Sequence, residues 1–299
     1  MLKKNCYYCK QPSDLYIKSS NKKNDNNFNF ASTEINTEES EIRPDLFFCK
    51  NCEIIFSEFC DVKFENNYID VLDQLYIDQI DNKKKYFRNI IKKISNMINE
   101  DDDVMEIGSY YGAFGSEIKN SVNSYTGLEL SKHASNYSKQ KFNINTMNKN
   151  IYEYFKDNDK KFDIIFMFDV LEHLDDPDAI LNLCSKNLKK NGRLILSTMN
   201  MDSIFAKLTG KHYPWIIPMH KFYFSNNSVK KYLNKNDLFL KRIIGDVRII
   251  SLEYLFLKIS QKISIFKIFY KLLIKFESIK SIPIKFSLFD INIYCAYKK

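Results

Sequence analysis

The feature that most constrains this chain is a short apolar segment that runs into a glycine turn and then into a helix. Residues 104–107 have the composition of a buried strand, and the turn after them holds Gly108 and Gly112. A helical segment is predicted over residues 114–120. A strand, a glycine turn and a helix in that order bring backbone N–H groups and a helix N-terminus to one crevice. Such a crevice suits a polar or anionic part of a nucleoside-like ligand.

The glycine turn differs from the one that binds dinucleotides. Tyr110 stands where the G-x-G-x-x-G pattern places its second glycine. Glu106, at the end of the strand, would repel a pyrophosphate, whereas a carboxylate at that place suits a ligand that carries an amino group. On this stretch alone, an ordinary strand-to-helix turn stays open as the alternative.

Strands and helices alternate from residue 103 onward. This rhythm predicts an α/β domain with a parallel sheet that is covered by helices on both faces. The predicted strands are 104–107, 124–130, 162–168 and 192–197, and the predicted helices are 114–120, 133–141 and 178–188.

Polar side chains stand at the ends of these strands. Glu129 follows the glycine turn by about twenty residues, where a carboxylate can accept hydrogen bonds from both hydroxyls of a ribose. Asn150 and Ile151 precede the third strand, where an amide beside an apolar residue suits an adenine ring. Asp169 ends that strand, at the edge where open α/β sheets bind their ligands.

Four of the seven cysteines form two C-x-x-C pairs near the amino terminus. The pairs are Cys6 with Cys9 and Cys49 with Cys52, and apolar strand-like segments flank them, as in a zinc ribbon. Free thiols are the alternative, and the polar residues 19–41 between the pairs are expected to form a mobile insertion. We expect the remaining cysteines to be core residues: Cys60, Cys184 and Cys295.

Length and composition bound the organisation of the chain. Its 299 residues allow one large domain and a small appendage. We predict a zinc-binding unit over 1–62, a helical connector over 63–100 and the α/β domain over 101–299. The sequence shows no secretory signal and no apolar run long enough to cross a membrane, and together with the cysteine pattern this predicts a reducing, cytoplasmic setting.

At this point the sequence resembles the class I S-adenosylmethionine-dependent methyltransferases. The likeness covers about residues 103–241. It implies a Rossmann-like, seven-stranded, mostly parallel sheet that is closed by the strands predicted at 239–247 and 289–297. The residues that carry it are 106–112, the strand that ends in Glu129, the segment 162–177 with its Val-Leu-Glu-His-Leu and Asp-Pro, and the segment 188–200.

A narrower resemblance links the cysteine unit and residues 215–225 to zinc-ribbon methyltransferases of sugar biosynthesis. It implies a Zn site at the four cysteines. It also implies an acceptor such as a nucleotide-linked sugar, a glycan precursor or another small molecule, with the zinc unit as a lid or platform over it.

The resemblance also implies roles for particular residues. His220, after the fifth strand, is the first candidate for the base that takes the acceptor's proton. His173 is the second, and the favoured alternative for it is a helix-start residue whose ring binds the backbone. Trp215 would wall the acceptor pocket or simply pack in the core. The residues expected to hold S-adenosylmethionine are Glu106, Gly108, Ser109, Gly112, Glu129, Leu130, Asn150, Ile151, Asp169 and Val170.

Two other functions stay open on the sequence. Tyr110 departs from the glycine that many family members carry, which leaves room for an inactive zinc-binding scaffold. The cysteine unit and basic tail also permit a nucleic-acid methyltransferase. We do not expect one, because Asp169-Val-Leu-Glu stands where an Asn-Pro-Pro-Tyr-like tetrapeptide would.

The carboxy-terminal part of the chain carries the excess of positive charge. From Asp246 to Lys299 there are ten Lys/Arg and four Asp/Glu, so this part carries 10 − 4 = +6. The insertion at 252–282 is amphipathic and rich in lysine, which permits peripheral contact with an anionic membrane. The alternative, which we favour, is a helical cap or dimer surface packed on the domain. The oligomeric state is left open.

Overall fold

The computed structural model describes residues 3–19, 43–62, 72–262, 266–276, 279 and 282–299. The prediction for the polar insertion 19–41 between the cysteine pairs therefore lies outside the described residues, apart from Ser19.

A seven-stranded sheet forms the centre of the α/β domain, in the order β11-β14-β9-β8-β5-β6-β7. The pairs from β9 to β7 are parallel, whereas β14 is antiparallel to both β9 and β11. The predicted seven-stranded, mostly parallel sheet is thus confirmed. Its strands are β5 Asp103–Ile107, β6 Ser124–Leu128, β7 Thr146–Met147, β8 Phe162–Phe168, β9 Leu188–Met199, β11 Leu238–Gly245 and β14 Ile291–Lys298.

Helices cover this sheet because their apolar faces pack on the buried residues of its strands. Phe162–Phe168, for example, is buried at six of its seven positions. Asp176 caps the helix that follows and Pro177 occupies its first turn, where a missing N–H costs nothing. The helices are α1 Gln74–Asp78, α2 Ile80–Lys93, α3 Ala113–Ile118, α4 Lys132–Phe142, α5 Ile151–Lys156, α6 Pro177–Asn187, α7 Ile204–Thr209 and α8 Asn226–Lys235.

The amino-terminal unit is a small antiparallel sheet that a strand of the α/β domain extends. Its own strands are β1 Lys3–Asn5, β2 Pro12–Ile17, β3 Leu46–Cys49 and β4 Ile54–Ser57, and β10 Phe222–Tyr223 pairs with β4 as a fifth strand. Tyr7 and Tyr8 pack on the ring of Phe222. Sequence reasoning missed this junction, because a two-residue strand has no periodicity to recognise.

The described residues between β11 and β14 include a two-stranded sheet, formed by β12 Arg248–Ser251 and β13 Pro283–Phe286, and the two helices α9 Leu252–Lys262 and α10 Phe266–Leu273. Among the described helices, none combines the length and apolarity that crossing a bilayer requires.

Candidate active site

A cavity of about 550 Å³ opens at the carboxyl ends of β5, β6 and β8. Glu106, Glu129 and Asp169 line it from three neighbouring strands, and Trp215 and His220 line its other side. The sheet therefore brings together the strand-end carboxylates that the sequence predicted at one site.

Gly108, in the glycine turn after β5, lies close to Val170, which follows the neighbouring strand β8. Its φ is +73°, and a Cβ built there would lie 2.5 Å from Cγ2 of Val170. Both facts favour glycine, and both residues line the cavity together with Ser109. Gly112 differs from the prediction: its φ is +77°, and it faces Ser138 and Ile144 behind the turn instead of the cavity.

Tyr110 occupies the turn without closing the cavity. Its φ of +46° is the left-handed conformation that glycine adopts more readily. Its hydroxyl donates to a carboxylate oxygen of Asp73 at 3.0 Å, and its ring packs edge-on against Tyr76. These contacts of the side chain stabilise a backbone conformation that tyrosine rarely takes.

Glu106 and Glu129 are both buried beside the turn. Burial raises the pKa of Glu106 to about 8, although the Tyr125 hydroxyl donates to its carboxylate and works against that rise. Burial also raises the pKa of Glu129. The two oxygens of Glu129 accept from the N–H groups of Tyr110 and Ser131, each at 2.7 Å, so its carboxylate also holds the turn in shape.

The residues predicted to contact the adenine line the cavity, but the side chain of Asn150 also caps a helix. Asn150 caps α5, and its side-chain oxygen accepts from the N–H of Glu153 at 2.9 Å. Ile151 and Leu130 also line the cavity, and Ile151 is buried. The apolar contact at this end therefore rests on these two residues, while the Asn150 side-chain oxygen is engaged in the capping box.

Asp169 is held by an arginine that the sequence did not single out. Burial works to raise the pKa of Asp169, but the Arg248 guanidinium and the Ser197 hydroxyl outweigh it, so the pKa is lowered. Nη2 of Arg248 lies 3.0 Å from Asp169, and its Nε lies 3.2 Å from Asp246. The guanidinium also lies over the Trp215 ring, 5.1 Å from its centre.

Glu172, His173 and His220 converge on the other side of the cavity, with one ligand-type atom of each within 4.8 Å of the others. Nδ1 of His220 lies 2.8 Å from the carbonyl oxygen of Trp215, and Nδ1 of His173 lies 3.1 Å from that of Met219. A carbonyl can only accept, so each Nδ1 carries the proton.

Burial sets the charge of this cluster. It lowers the pKa of His173 to about 4, and burial together with His173 lowers the pKa of His220 well below its usual value. Burial raises the pKa of Glu172 to about 8. Both imidazoles are therefore neutral at pH 7, and Nε2 of His220 holds a lone pair. Glu172 was missed as a site residue, although it belongs to the recognised motif.

The four cysteines of the two C-x-x-C pairs form a compact cluster. The Sγ atoms of Cys6 and Cys52 are 3.9 Å apart, and those of Cys9 and Cys49 are 3.5 Å apart. Tetrahedral zinc with Zn–S bonds near 2.3 Å requires about 3.8 Å between sulfurs, so the cluster fits Zn²⁺. Cys60, Cys184 and Cys295 are buried, as predicted.

Comparison with known proteins agrees with this geometry. A family model described as "Methyltransferase domain" matches residues 79–240, more than half of the chain. The chain belongs to this methyltransferase family. Its domain is an S-adenosylmethionine-dependent methyltransferase domain, and the buried carboxylates at the ends of β5 and β6 and the Gly108 turn fit that cofactor.

Curated relatives match over short stretches only. A mitochondrial ubiquinone biosynthesis O-methyltransferase of Candida albicans is 35% identical over 82 residues, which are 26% of this chain and 24% of that protein. A ubiquinone biosynthesis O-methyltransferase of Pelagibacter ubique is 32% identical over 93 residues, or 29% and 39% of the two chains. The methyltransferase thus spans well under half the length of these relatives.

Solved structures share the fold over most of the chain. The YcgJ protein of Bacillus subtilis superposes with a TM-score of 0.51 at 16% identity, covering 72% of this chain and 98% of that one. A chain from the complex between the Haloferax volcanii Trm112 methyltransferase activator and a methyltransferase gives 0.51 at 11% identity, covering 80% and 97%. At such identities the likeness shows the fold alone.

Proposed function

We propose that this methyltransferase moves a methyl group from S-adenosylmethionine to an oxygen of a small-molecule acceptor, and that the acceptor is a nucleotide-linked sugar or glycan precursor. The observation that carries the proposal is the position of His220. His220, whose Nε2 holds the lone pair, lines the same cavity as Glu106 and Glu129. One cavity thus combines a cofactor end and a proton-accepting end.

The cofactor-side residues of the proposal orient the methyl donor. Glu106 and the Gly108 turn would hold its amino-acid part, and Glu129 its ribose hydroxyls, with Ser109 and Val170 beside them. Leu130, Asn150 and Ile151 would surround the adenine, and Asp169 would lie near the sulfonium charge. S-adenosylmethionine supplies the transferred methyl group when bound.

The acceptor-side residues would move one proton. A neutral His220 takes the proton of the acceptor hydroxyl at Nε2 as the oxygen attacks the methyl group, while His173 packs against it with ring centres 4.6 Å apart. Trp215 and the apolar Ile217 form part of the wall against which the acceptor lies. Holding both reactants in line supplies most of the rate enhancement in this scheme.

The proposal includes structural zinc at Cys6, Cys9, Cys49 and Cys52. The compact sulfur cluster supports it, and thiolates that stay reduced agree with a cytoplasmic setting. We place the zinc unit beside the acceptor because its β4 pairs with β10, two residues after His220.

The acceptor class is tested by mass spectrometry of candidates incubated with protein and S-adenosylmethionine. A gain of one methyl group on a nucleotide-linked sugar supports the proposal. The names of the curated relatives favour a second candidate, a phenolic precursor of quinones. If the phenol gains a methyl group and the nucleotide-linked sugars do not, the proposed acceptor class is wrong. The residues assigned to the cofactor are unaffected by that result.

Replacing Glu129 by glutamine is expected to weaken binding of S-adenosylhomocysteine about 100-fold. Two hydrogen bonds from the ribose to a charged oxygen would be weakened, at about 1.5 kcal/mol each. Titration calorimetry measures the change. Glu100→Gln, at an exposed position before β5, is the matched control and should bind normally. A loss below threefold in the folded Glu129 variant contradicts the role.

Binding of S-adenosylhomocysteine is expected to strengthen as the pH rises from 6 to 8. The pKa of Glu106 is about 8 in the unliganded protein, so its carboxyl is largely protonated below that pH. Pairing it with the ligand's ammonium requires ionisation, which costs up to a factor of about ten in affinity per pH unit. Calorimetry across this range should show the slope, and Glu106→Gln should abolish it. An affinity that is flat from pH 6 to 8 contradicts the pairing.

A further inference from the structure

The helix α10 and the turn after it expose an apolar face to solvent. Ile268, Phe269, Leu272 and Phe276 are 63%, 52%, 51% and 57% exposed. Their spacing of one, three and four residues places them on one side of a helix. We call these four side chains the apolar face.

Lysines run along one border of the apolar face. Lys267, Lys271 and Lys275 are exposed, recur every fourth residue, and each directly precedes a residue of the face. The segment 266–276 contains no acidic residue. Long aliphatic stems in this position lie along apolar surface while their ammonium groups reach outward. The arrangement is that of a helix at a boundary between an apolar medium and a layer of negative charge.

Other apolar side chains near the end of the insertion are also exposed. The side chains are Ile279 (43% exposed), Ile282 (47%), Leu288 (42%) and Phe289 (75%). The N–H of Leu252, at the start of α9, donates to the carbonyl of Ile282 at 2.9 Å, so the two ends of the insertion are tied together.

The insertion is also attached to the active-site cavity. Arg248, at the start of β12, and Ile291, two residues after Phe289, both line that cavity. The exposed surface therefore belongs to the same part of the chain as a wall of the site.

We propose that the apolar face and its lysines bind the surface of an anionic lipid bilayer. The charges decide between the occupants. A second copy seated face to face would bring two sets of lysines together, which repel, whereas anionic headgroups attract all three. The helix lies on the bilayer instead of crossing it, because α10 is eight residues long. This choice differs from the helical cap or dimer surface favoured on the sequence, because the described face of α10 is exposed and bordered by lysines.

Sedimentation with vesicles tests the proposal on the full chain. The protein should sediment with vesicles of phosphatidylcholine that contain one quarter phosphatidylglycerol. With vesicles of pure phosphatidylcholine, the amount of sedimented protein should be lower by at least about tenfold. Replacing Phe269 and Phe276 by serine should abolish sedimentation. Binding of S-adenosylhomocysteine should stay unchanged in this variant, which separates lost membrane contact from lost folding or a wrong cofactor assignment.

A charge-matched pair of variants isolates the lysines. Lys267→Glu, Lys271→Glu and Lys275→Glu together should weaken vesicle binding about 100-fold or more. Lys132→Glu, Lys139→Glu and Lys141→Glu change the net charge equally at exposed positions on α4 and should leave binding nearly intact. Equal losses in both triple variants, or no sedimentation of the native chain, overturn the proposal. A native dimer that Phe269→Ser with Phe276→Ser dissociates would assign the face to a second copy and overturn it as well.

Discussion

Replacing His220 by glutamine is expected to lower the rate of methyl transfer by about 100- to 10,000-fold, the usual contribution of a positioned base. Glutamine keeps a polar side chain of similar reach but offers no nitrogen lone pair. The affinity for S-adenosylhomocysteine should change little, because the proposed cofactor contacts come from other residues. Single-turnover transfer to the acceptor found by mass spectrometry, with calorimetry beside it, measures both quantities.

The controls for this experiment are the other histidines. His133 and His212 are exposed, and their glutamine variants should transfer methyl groups at the native rate. His173→Gln should have an intermediate effect, because its ring packs against His220. If His220→Gln transfers methyl groups at the native rate, His220 is not the base.

The pH dependence of the rate gives an independent check on His220. Burial lowers the pKa of this histidine well below its usual value, so its imidazole should stay neutral and competent through pH 6. The rate of methyl transfer should therefore not fall around pH 6.5 because of protonation of His220. A loss of rate around that pH that disappears in His220→Gln would show an ordinary, accessible histidine and contradict the buried geometry.

Removing the zinc ion that we propose at the four cysteines is expected to reduce methyl transfer strongly while leaving cofactor binding largely intact. Structural zinc supplies much of the folding free energy of so small a unit. The N–H of Ser57 in β4 donates to the carbonyl of Lys221 at 2.9 Å, and the N–H of Lys221 donates to the carbonyl of Glu172 at 2.8 Å. Loss of β4 therefore removes one of the two backbone hydrogen bonds that hold Lys221, next to His220, and loosens this segment.

Cys49→Ser tests this link, with zinc content measured by atomic absorption. Hydrogen exchange should rise at Phe222 and Tyr223, which pair with β4. Cys60→Ser is the control, since Cys60 is buried in the same unit but stands outside the four-sulfur cluster. Undiminished transfer by zinc-free protein would show that the amino-terminal unit does not support the acceptor side.

Four of the five parallel strands could be predicted, because each contains an apolar segment that is distinct in the sequence, whereas the two-residue β7 could not. Residues 162–168 form a continuous apolar run, and the structure builds β8 over the same residues. Because parallel strands have their carboxyl ends at one edge of the sheet, Glu106, Glu129 and Asp169 could be predicted to lie together there. Local pattern and sheet geometry sufficed for this half of the site.

The rest of the site depends on contacts between distant residues. Arg248 reaches Asp169 across 79 positions, and nothing in its own neighbourhood distinguishes it from other basic residues of the tail. Gly112 satisfies the same motif as Gly108, yet it faces α4, because the turn carries it behind the cavity wall. A motif thus identifies a turn, and only packing decides which side of it meets a ligand.

The pairing of β4 with β10 has an evolutionary consequence. Acceptor preference and cofactor affinity can diverge separately in such a chain, because β4 of the amino-terminal unit pairs with β10, next to the segment that carries His220. A functional chimera would therefore have to inherit residues 1–62 and 215–225 from the same parent.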